Sequence, residues 1–282
     1  MDIFEQLICP VCGDGLSRQD NSLKCENKHC FDFASSGYIN LLKPGKKNNA
    51  KAGDCKEMIK ARTDFFECGA YEKISNTICA LASELPSQTV VDAGCGEGYY
   101  TSSLAKDASR LVYGIDMSKF GCEHGAKFAK RNGLSNLIYC VGSIFELPLA
   151  SESMDLIVNM FAPVASQEFY RVLKPSAHFI VASAGVDHLD GLKSILYSDV
   201  YQNEEKFLNY DGFELIKQEN LKYTAKITGN KTIYNLFTMT PYYYRTSLED
   251  KKKLDQVDEI TTTIEVNFLV YKKFDTKKTA LK

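Results

Sequence analysis

One stretch limits what this chain can fold into more than any other. Residues 89–105, TVVDAGCGEGYYTSSLA, place a short β-branched run before three alternate glycines and a helix-forming segment. Branched side chains favour strands because their Cβ fits a pleated surface. Glycine lets the backbone turn sharply and lets a ligand approach with no Cβ in the way. A strand that ends in such a loop and continues as a helix opens a parallel α/β unit.

The same alternation continues downstream. RLVYGID, NLIYCVGS, MDLIVNM and HFIVASA read as strands, with FGCEHGAKFAKRNG and QEFYRVLKP as helices among them. This predicts an α/β fold, a doubly wound parallel sheet with helices on both faces. Upstream, Met58, Ile59, Phe65, Phe66, Ile74, Ile78 and Leu81 recur at helical spacing, and Gly69 is expected to separate two helices. The last third carries aromatic segments around residues 233–237, 240–245 and 263–274, expected to add strands at the sheet edge. A lysine-rich tail after Tyr271 is expected to fray.

The glycine loop gains chemical meaning from its acids. Asp92 precedes Gly94, Gly96 and Gly98, and Asp116 ends the next strand 24 residues later. A carboxylate near that offset is placed to meet ribose hydroxyls. A dinucleotide site would read G-x-G-x-x-G, whereas this loop reads G-x-G-x-G after an acidic residue.

A second constellation lies near the N-terminus. Cys9 and Cys12 form CPVC; Cys25 follows after twelve residues and His29 after three more, with Cys30 next to it. C-x-x-C sets two thiolates on one knuckle, and a second pair on a later hairpin completes a tetrahedral site suited to zinc. Either His29 or Cys30 can be the fourth ligand on spacing alone. A metal held this way substitutes for the hydrophobic core that residues 1–42 are too short to build, so its loss is expected to unfold this small appendage and spare the rest.

Composition narrows the setting. No apolar run reaches the roughly 18–20 residues needed to span a bilayer, and MDIFEQLICP lacks a basic-then-apolar export design. A cytoplasmic protein is therefore expected, in which clustered cysteines read as metal ligands rather than disulfides. Residues 1–62 carry 10 Lys+Arg against 8 Asp+Glu, and the remaining 220 carry 24 against 28. The basic excess gathers at Lys43, Lys46, Lys47, Lys51, Lys56, Lys60 and Arg62, a solvated linker or a phosphate-contacting stretch.

Asp92 with its glycine loop and Asp116 resembles the first motifs of the class I S-adenosylmethionine-dependent methyltransferases, a Rossmann-like fold. CPVCGDGL, KCENKHCFDFASSGYINLL, EMIKARTDFFECGAY, VVDAGCGEGYYT, SMDLIVNMFAP, HLDGLKSILY and TMTPYYYR extend the resemblance over most of the chain. Together they are similar to the RlmA type of 23S rRNA (guanine-N(1)-)methyltransferase, a small N-terminal zinc-binding module fused to a class I domain. The resemblance implies the cofactor S-adenosyl-L-methionine and a structural zinc on Cys9, Cys12, Cys25 and His29. It implies a 23S ribosomal RNA hairpin as substrate, a possible homodimer, and no membrane. It also implies that Tyr71, the segment Gly98, Tyr99, Tyr100, Thr101, and His188 touch the cofactor, with Met117 beside the ribose acid and Ser143 and Ile144 near the adenine. Asp155 opens a strand whose far end faces the site. Ser176 and Ala177 stand where the family has two glycines, so that turn is expected to be altered. The division expected is residues 1–42 for RNA recognition, 43–62 as a basic linker and helix start, and 63–282 for methyl transfer.

Such a reaction needs a splayed-out base held in line with the methyl group and relieved of its ring proton. Phe161, Tyr242, Tyr243, Tyr244 and Arg245 are candidate walls for that base; Asp187 and Glu97 are candidate bases, neither favoured. Competing readings are a small-molecule methyltransferase stabilised by its zinc ribbon, and an inactive RNA-binding assembly factor.

Overall fold

The computed structural model describes residues 2–43, 53–198, 202–203 and 209–274. At its centre is β5 (Thr89–Ala93), every residue of which is buried, as in a strand covered on both faces. It pairs in parallel with β6 (Leu111–Asp116) on one side and β8 (Met154–Met160) on the other. Beyond these lie β7 (Leu137–Val141) and β9 (Leu173–Ala184), also parallel. Strand order therefore reverses between β5 and β8, the switch point outside whose carboxyl ends α/β sheets bind ligands. β11 (Glu259–Lys273) runs antiparallel between β9 and the edge strand β10 (Phe213–Thr228). β4 (Ile39–Asn40) closes the other edge, giving the order β10-β11-β9-β8-β5-β6-β7-β4.

The helices are α1 (Lys56–Phe66), α2 (Glu72–Ser83), α3 (Tyr99–Leu104), α4 (Lys119–Arg131), α5 (Ser166–Val172), α6 (Asp190–Leu196), α7 (Asn230–Thr238) and α8 (Leu248–Lys252). Gly69, at φ +76°, sits between α1 and α2 as expected. None of the helices among the described residues is long and apolar enough to cross a membrane.

Two readings of the last third need correction. Residues 233–237 lie in α7, with Ile233, Leu236 and Phe237 on its buried face. Their spacing of three and one is helical, which the short aromatic run disguised as a strand. Residues 240–245 form turns, the N–H groups of Arg245 and Thr246 both donating to the Tyr242 carbonyl. Residues 263–273 do form a strand, β11, but inside the sheet, with β10 outside it. At the altered turn, Ser176 takes the left-handed φ of +61° that favours glycine.

Alternation along the strands divides the core into two layers. On one face, Val90, Val112, Val158 and Ile180 meet Phe65, Ile78, Leu104, Cys122, Leu192 and Phe237 from α1, α2, α3, α4, α6 and α7. On the other, Val91, Tyr113, Ile115, Cys140 and Ile157 meet Phe169 and Val172 of α5. That second layer also takes in Leu7, Leu16, Leu23, Ile39 and Leu41. Residues 142–153, between β7 and β8, contain no helix, and the N-terminal module covers the sheet there. Its three short strands, β1 (Ser17–Gln19), β2 (Ser22–Lys24) and β3 (Cys30–Asp32), form their own sheet. Backbone bonds stitch the module down: Ile8 N–H to Pro148 O (3.0 Å), Ala150 N–H to Gln6 O (2.9 Å) and Leu41 N–H to Val141 O (2.9 Å). The module is therefore no free appendage. Its apolar side chains complete the core of the larger domain, which changes the expectation that metal loss spares the rest.

Candidate functional site

Two tight turns present the metal-ligating residues. Around the CPVC knuckle, Gly13 N–H donates to Cys9 O at 2.8 Å and Cys9 N–H to Asp14 O at 2.7 Å. Around the second turn, Lys28 N–H donates to Cys25 O at 3.0 Å and Cys25 N–H to His29 O at 3.2 Å. The ligand atoms of Cys9, Cys12, Cys25 and His29 all lie within 4.8 Å of one another. Cys12 and Cys25 sulfurs are 3.7 Å apart, and His29 Nδ1 is 3.5 Å from Cys9 Sγ and 3.3 Å from Cys25 Sγ. Metal–ligand bonds of about 2.3 Å to sulfur and 2.0–2.1 Å to nitrogen give tetrahedral edges of about 3.8 and 3.6 Å, close to these spacings. Three thiolates and an imidazole fit zinc, and four protein ligands leave no open position for catalytic water. Cys30 is outside the group, its sulfur 3.9 Å from Asp32 Oδ1.

The second site is a crevice at the carboxyl ends of β5, β6, β8 and β9. Gly94, Gly96 and Gly98 all have positive φ, +89°, +55° and +87°. A Cβ at Gly94 would come within 2.6 Å of Ala162 Cβ, and one at Gly98 within 2.1 Å of Tyr139 Oη. The loop must therefore be glycine at these places. Asp116 holds it in shape: one carboxylate oxygen accepts from Gly96 N–H (3.0 Å), the other from Ser118 N–H (2.6 Å). Burial raises the Asp116 pKa, opposed by these two bonds. Thr101 donates to Asp92 Oδ2 at 2.6 Å, while Asp92 Oδ1 is buried with no partner among the described residues. Burial pushes Asp92 up to about 7. Asn159, near the end of β8, donates to Ala93 O (2.8 Å) and Pro163 O (3.2 Å), and its own buried oxygen has no partner among the described residues. A cradle closed to Cβ atoms, flanked by two unpartnered buried acceptors, fits a ligand carrying an ammonium group.

Tyr71 and His188 meet across the crevice. Glu265 N–H donates to His188 Nδ1 (3.2 Å), so the neutral ring carries its proton on Nε2, 3.1 Å from Tyr71 Oη. Tyr71 thus accepts that bond and keeps its own O–H to give. Burial is the main cause that pushes the His188 pKa down to about 4. Phe66 joins the two halves of the site, with Tyr71 at 5.8 Å and Tyr100 at 6.0 Å between ring centres. The Tyr100 hydroxyl is buried without a partner among the described residues. Met117 and Ser143 line a cleft of about 660 Å³ that also touches the CPVC knuckle. Ile144 is buried in the core layer the module shares.

Asp155, at the start of β8, is held by Lys174 (2.8 Å) and Thr89, and several of the candidates for the base pocket and for proton removal are occupied elsewhere. Tyr242 is buried with Lys193 5.8 Å from its ring centre, and Tyr243 has Lys251 at 4.0 Å. Those two serve the core and its rim rather than a base-binding wall. Tyr244 is exposed, its hydroxyl on Met58 Sδ. Phe161, just beyond the end of β8, is 42% exposed, at φ +55° and 6.1 Å from the His188 ring. Asp187 pairs with Lys222 at 2.6 Å, a contact that lowers its pKa. Of the basic stretch, Lys43 pairs with Glu146 (2.9 Å), Lys60 with Asp64 (2.8 Å), and Arg62 with Asp54 and Glu97. Lys46, Lys47, Lys51 and the tail beyond 274 lie outside the described residues. Sequence reasoning passed over Asn159 and the placement of Arg62. Asn159 left a signal, a lone amide in an apolar strand; Arg62 left none, because its partners are brought by folding.

The switch-point crevice, its glycine cradle and the acid after β6 define a class I S-adenosylmethionine-dependent methyltransferase. A family model described as a methyltransferase domain matches residues 85–260, and one described as the N-terminal region of RlmA matches residues 7–51. The chain belongs to the RlmA-type methyltransferases, which carry a zinc ribbon ahead of the S-adenosylmethionine domain. It is 33% identical over 210 residues (67% of this chain, 68% of the relative) to a Micromonospora griseorubida protein provisionally named a 23S rRNA (guanine-N(1)-)-methyltransferase. Bacillus subtilis YxjB, with the same provisional name, is 27% identical over 95% of this chain and 97% of its own length. The Streptomyces fradiae 23S rRNA (guanine(748)-N(1))-methyltransferase is 29% identical over 80% of this chain and 81% of its own.

Proposed function

We propose that this chain methylates N1 of a guanine in a hairpin loop of 23S ribosomal RNA. The observation that carries the reading is the union of the zinc ribbon and the cofactor sheet in one core, in a chain whose relatives over most of its length bear that activity in their names. S-adenosylmethionine, when bound, supplies a methyl group already activated on a sulfonium. The chain's own tasks are then to hold, orient and exclude water. Asp116 takes the ribose hydroxyls, Gly94, Gly96 and Gly98 admit the cofactor to the backbone, and Thr101 fixes Asp92 behind it. Met117, Ser143 and Ile144 border the adenine. Tyr71, with its hydroxyl proton free to donate, and His188, kept neutral, line the side facing Phe161. An exposed aromatic held in a left-handed backbone at a strand end is a strained feature of the kind that gathers at working sites, and it suits stacking on an extruded base.

Residues 1–42 and the basic stretch 43–62 serve RNA recognition and residues 63–282 the chemistry, in a cytoplasmic enzyme that pairs as a homodimer. Because Lys43, Lys60 and Arg62 have acidic partners, the phosphate-contacting role falls to Lys46, Lys47, Lys51 and Lys56. The test is transfer of tritiated methyl to 23S rRNA from cells lacking the gene, mapped by primer extension. One stop at a loop guanine, absent from rRNA incubated without enzyme, is expected. Label entering small molecules of a cell extract and not rRNA would overturn the reading.

A further inference from the structure

Arg62 stands apart from the rest of the basic stretch. It projects from the second turn of α1 onto the glycine loop, its side chain 20% exposed. Nη1 donates to Glu97 Oε2 at 3.1 Å and Nη2 to Asp54 Oδ2. A Cβ built at Gly96 would lie 2.8 Å from Nη1, so the guanidinium rests directly on the loop. The acceptors around it form a closed circuit. Ser118 hydroxyl donates to the Asp54 carbonyl (2.8 Å), Ser118 N–H to Asp116, and Gly96 N–H to Asp116. Four carboxylates therefore gather at this end of the crevice, those of Asp54, Asp92, Glu97 and Asp116. Arg62 is a cation that acts on both Glu97 and Asp116.

That charge pattern poses a question about the ligand. S-adenosylmethionine carries two positive groups, a sulfonium and an ammonium, and one negative group, its carboxylate. The acids suit the first two. Among these acids a carboxylate is repelled, and a guanidinium, which binds it through paired N–H donors, suits it best. Arg62 has five N–H groups, and its two bonds to Glu97 and Asp54 leave three.

We propose that Arg62 binds the α-carboxylate of the cofactor, with Glu97 and Asp54 as positioning residues that hold the guanidinium against Gly96. The inference rests on the cofactor cradle proposed above and extends it to a residue from outside the sheet. It also gives the Asp54–Arg62 pair a purpose: the start of α1, where the connector from the zinc module ends, is fastened to the loop that receives the cofactor.

Calorimetry on the zinc-loaded full chain tests this with two ligands, S-adenosylmethionine and its decarboxylated form, which lacks only that group. Wild type should bind the carboxylated ligand more tightly by about tenfold or more, the span of a charge-assisted hydrogen bond. Arg62→Gln should remove most of that preference by weakening S-adenosylmethionine alone. Equal weakening of both ligands would make Arg62 a clasp and nothing more, and an unchanged preference would exclude the contact; either overturns the proposal. Should Arg62→Gln prove unfolded by circular dichroism, the ratio is measured on Arg62→Lys, which keeps the charge but lacks the paired N–H donors and should bind the two ligands with a smaller difference; a ratio equal to wild type again overturns it. Wild type that binds neither ligand would refute the cradle itself.

Discussion

Removing zinc should destabilise the whole chain and not the N-terminal module alone. The perturbation is a strong chelator, or Cys12→Ser, which removes one of four clustered ligands. The module places Leu7, Leu16, Leu23, Ile39 and Leu41 in the core layer under β5, β6 and β7, each no more than 5% exposed. At about 1.5–3 kcal/mol for each fully buried aliphatic side chain, these five contribute on the order of 7–15 kcal/mol of gross burial, an upper estimate. A domain's net stability is about 5–15 kcal/mol, so losing even a third of that burial is a large fraction of it. In a chain of this size about 1 kcal/mol moves the melting midpoint by roughly 2–4 °C. The main calorimetric transition should therefore fall by more than about 10 °C on chelation, and S-adenosylhomocysteine binding, followed by titration, should weaken with it. A two-step melt whose larger transition keeps its zinc-loaded midpoint would refute the shared-core argument.

Three further outcomes follow from the geometry. Asp116→Asn loses the charge and can accept only one of the two N–H bonds from Gly96 and Ser118, so cofactor affinity should fall by about tenfold or more; unchanged affinity would show that the ribose lies elsewhere. Metal analysis should find about one zinc per chain in Cys30→Ser and much less in His29→Ala; the opposite result would mean the ligand atoms have been misplaced. His188 is held near 4 in the folded protein against about 6.5 unfolded, so the unfolded state binds the extra proton between those values. Its contribution is present above about pH 6.5 and is lost as the pH falls toward 4, about 3 kcal/mol in all. His188→Gln should therefore show a shallower acid loss of stability in denaturant titrations across that window, and parallel curves would contradict its burial.

The sequence by itself determined the strand–glycine loop–helix start, the parallel alternation, the pair of acids at Asp92 and Asp116, and the thiolate spacing at Cys9, Cys12 and Cys25. These are local signals: backbone freedom at glycine, β-branched runs and ligand spacing all act within a few residues of chain. Tertiary structure decided what those signals do not encode. Cys30 and His29 are adjacent and chemically alike as ligands, and only the hairpin's turn at Lys28, with φ +65°, selects which side chain faces the other three. The helical phase of residues 233–237 emerged only when one face found a core to bury against. Neither the absence of a helix between β7 and β8 nor the module that takes its place is visible from periodicity, because both depend on which distant surfaces meet. Arg62 reads in sequence as one of seven basic residues in a stretch open to solvent, and folding sets it on a glycine loop 34 positions away, between two acids. Long-range packing makes that choice, since a buried guanidinium is stable only where partners have been carried to it.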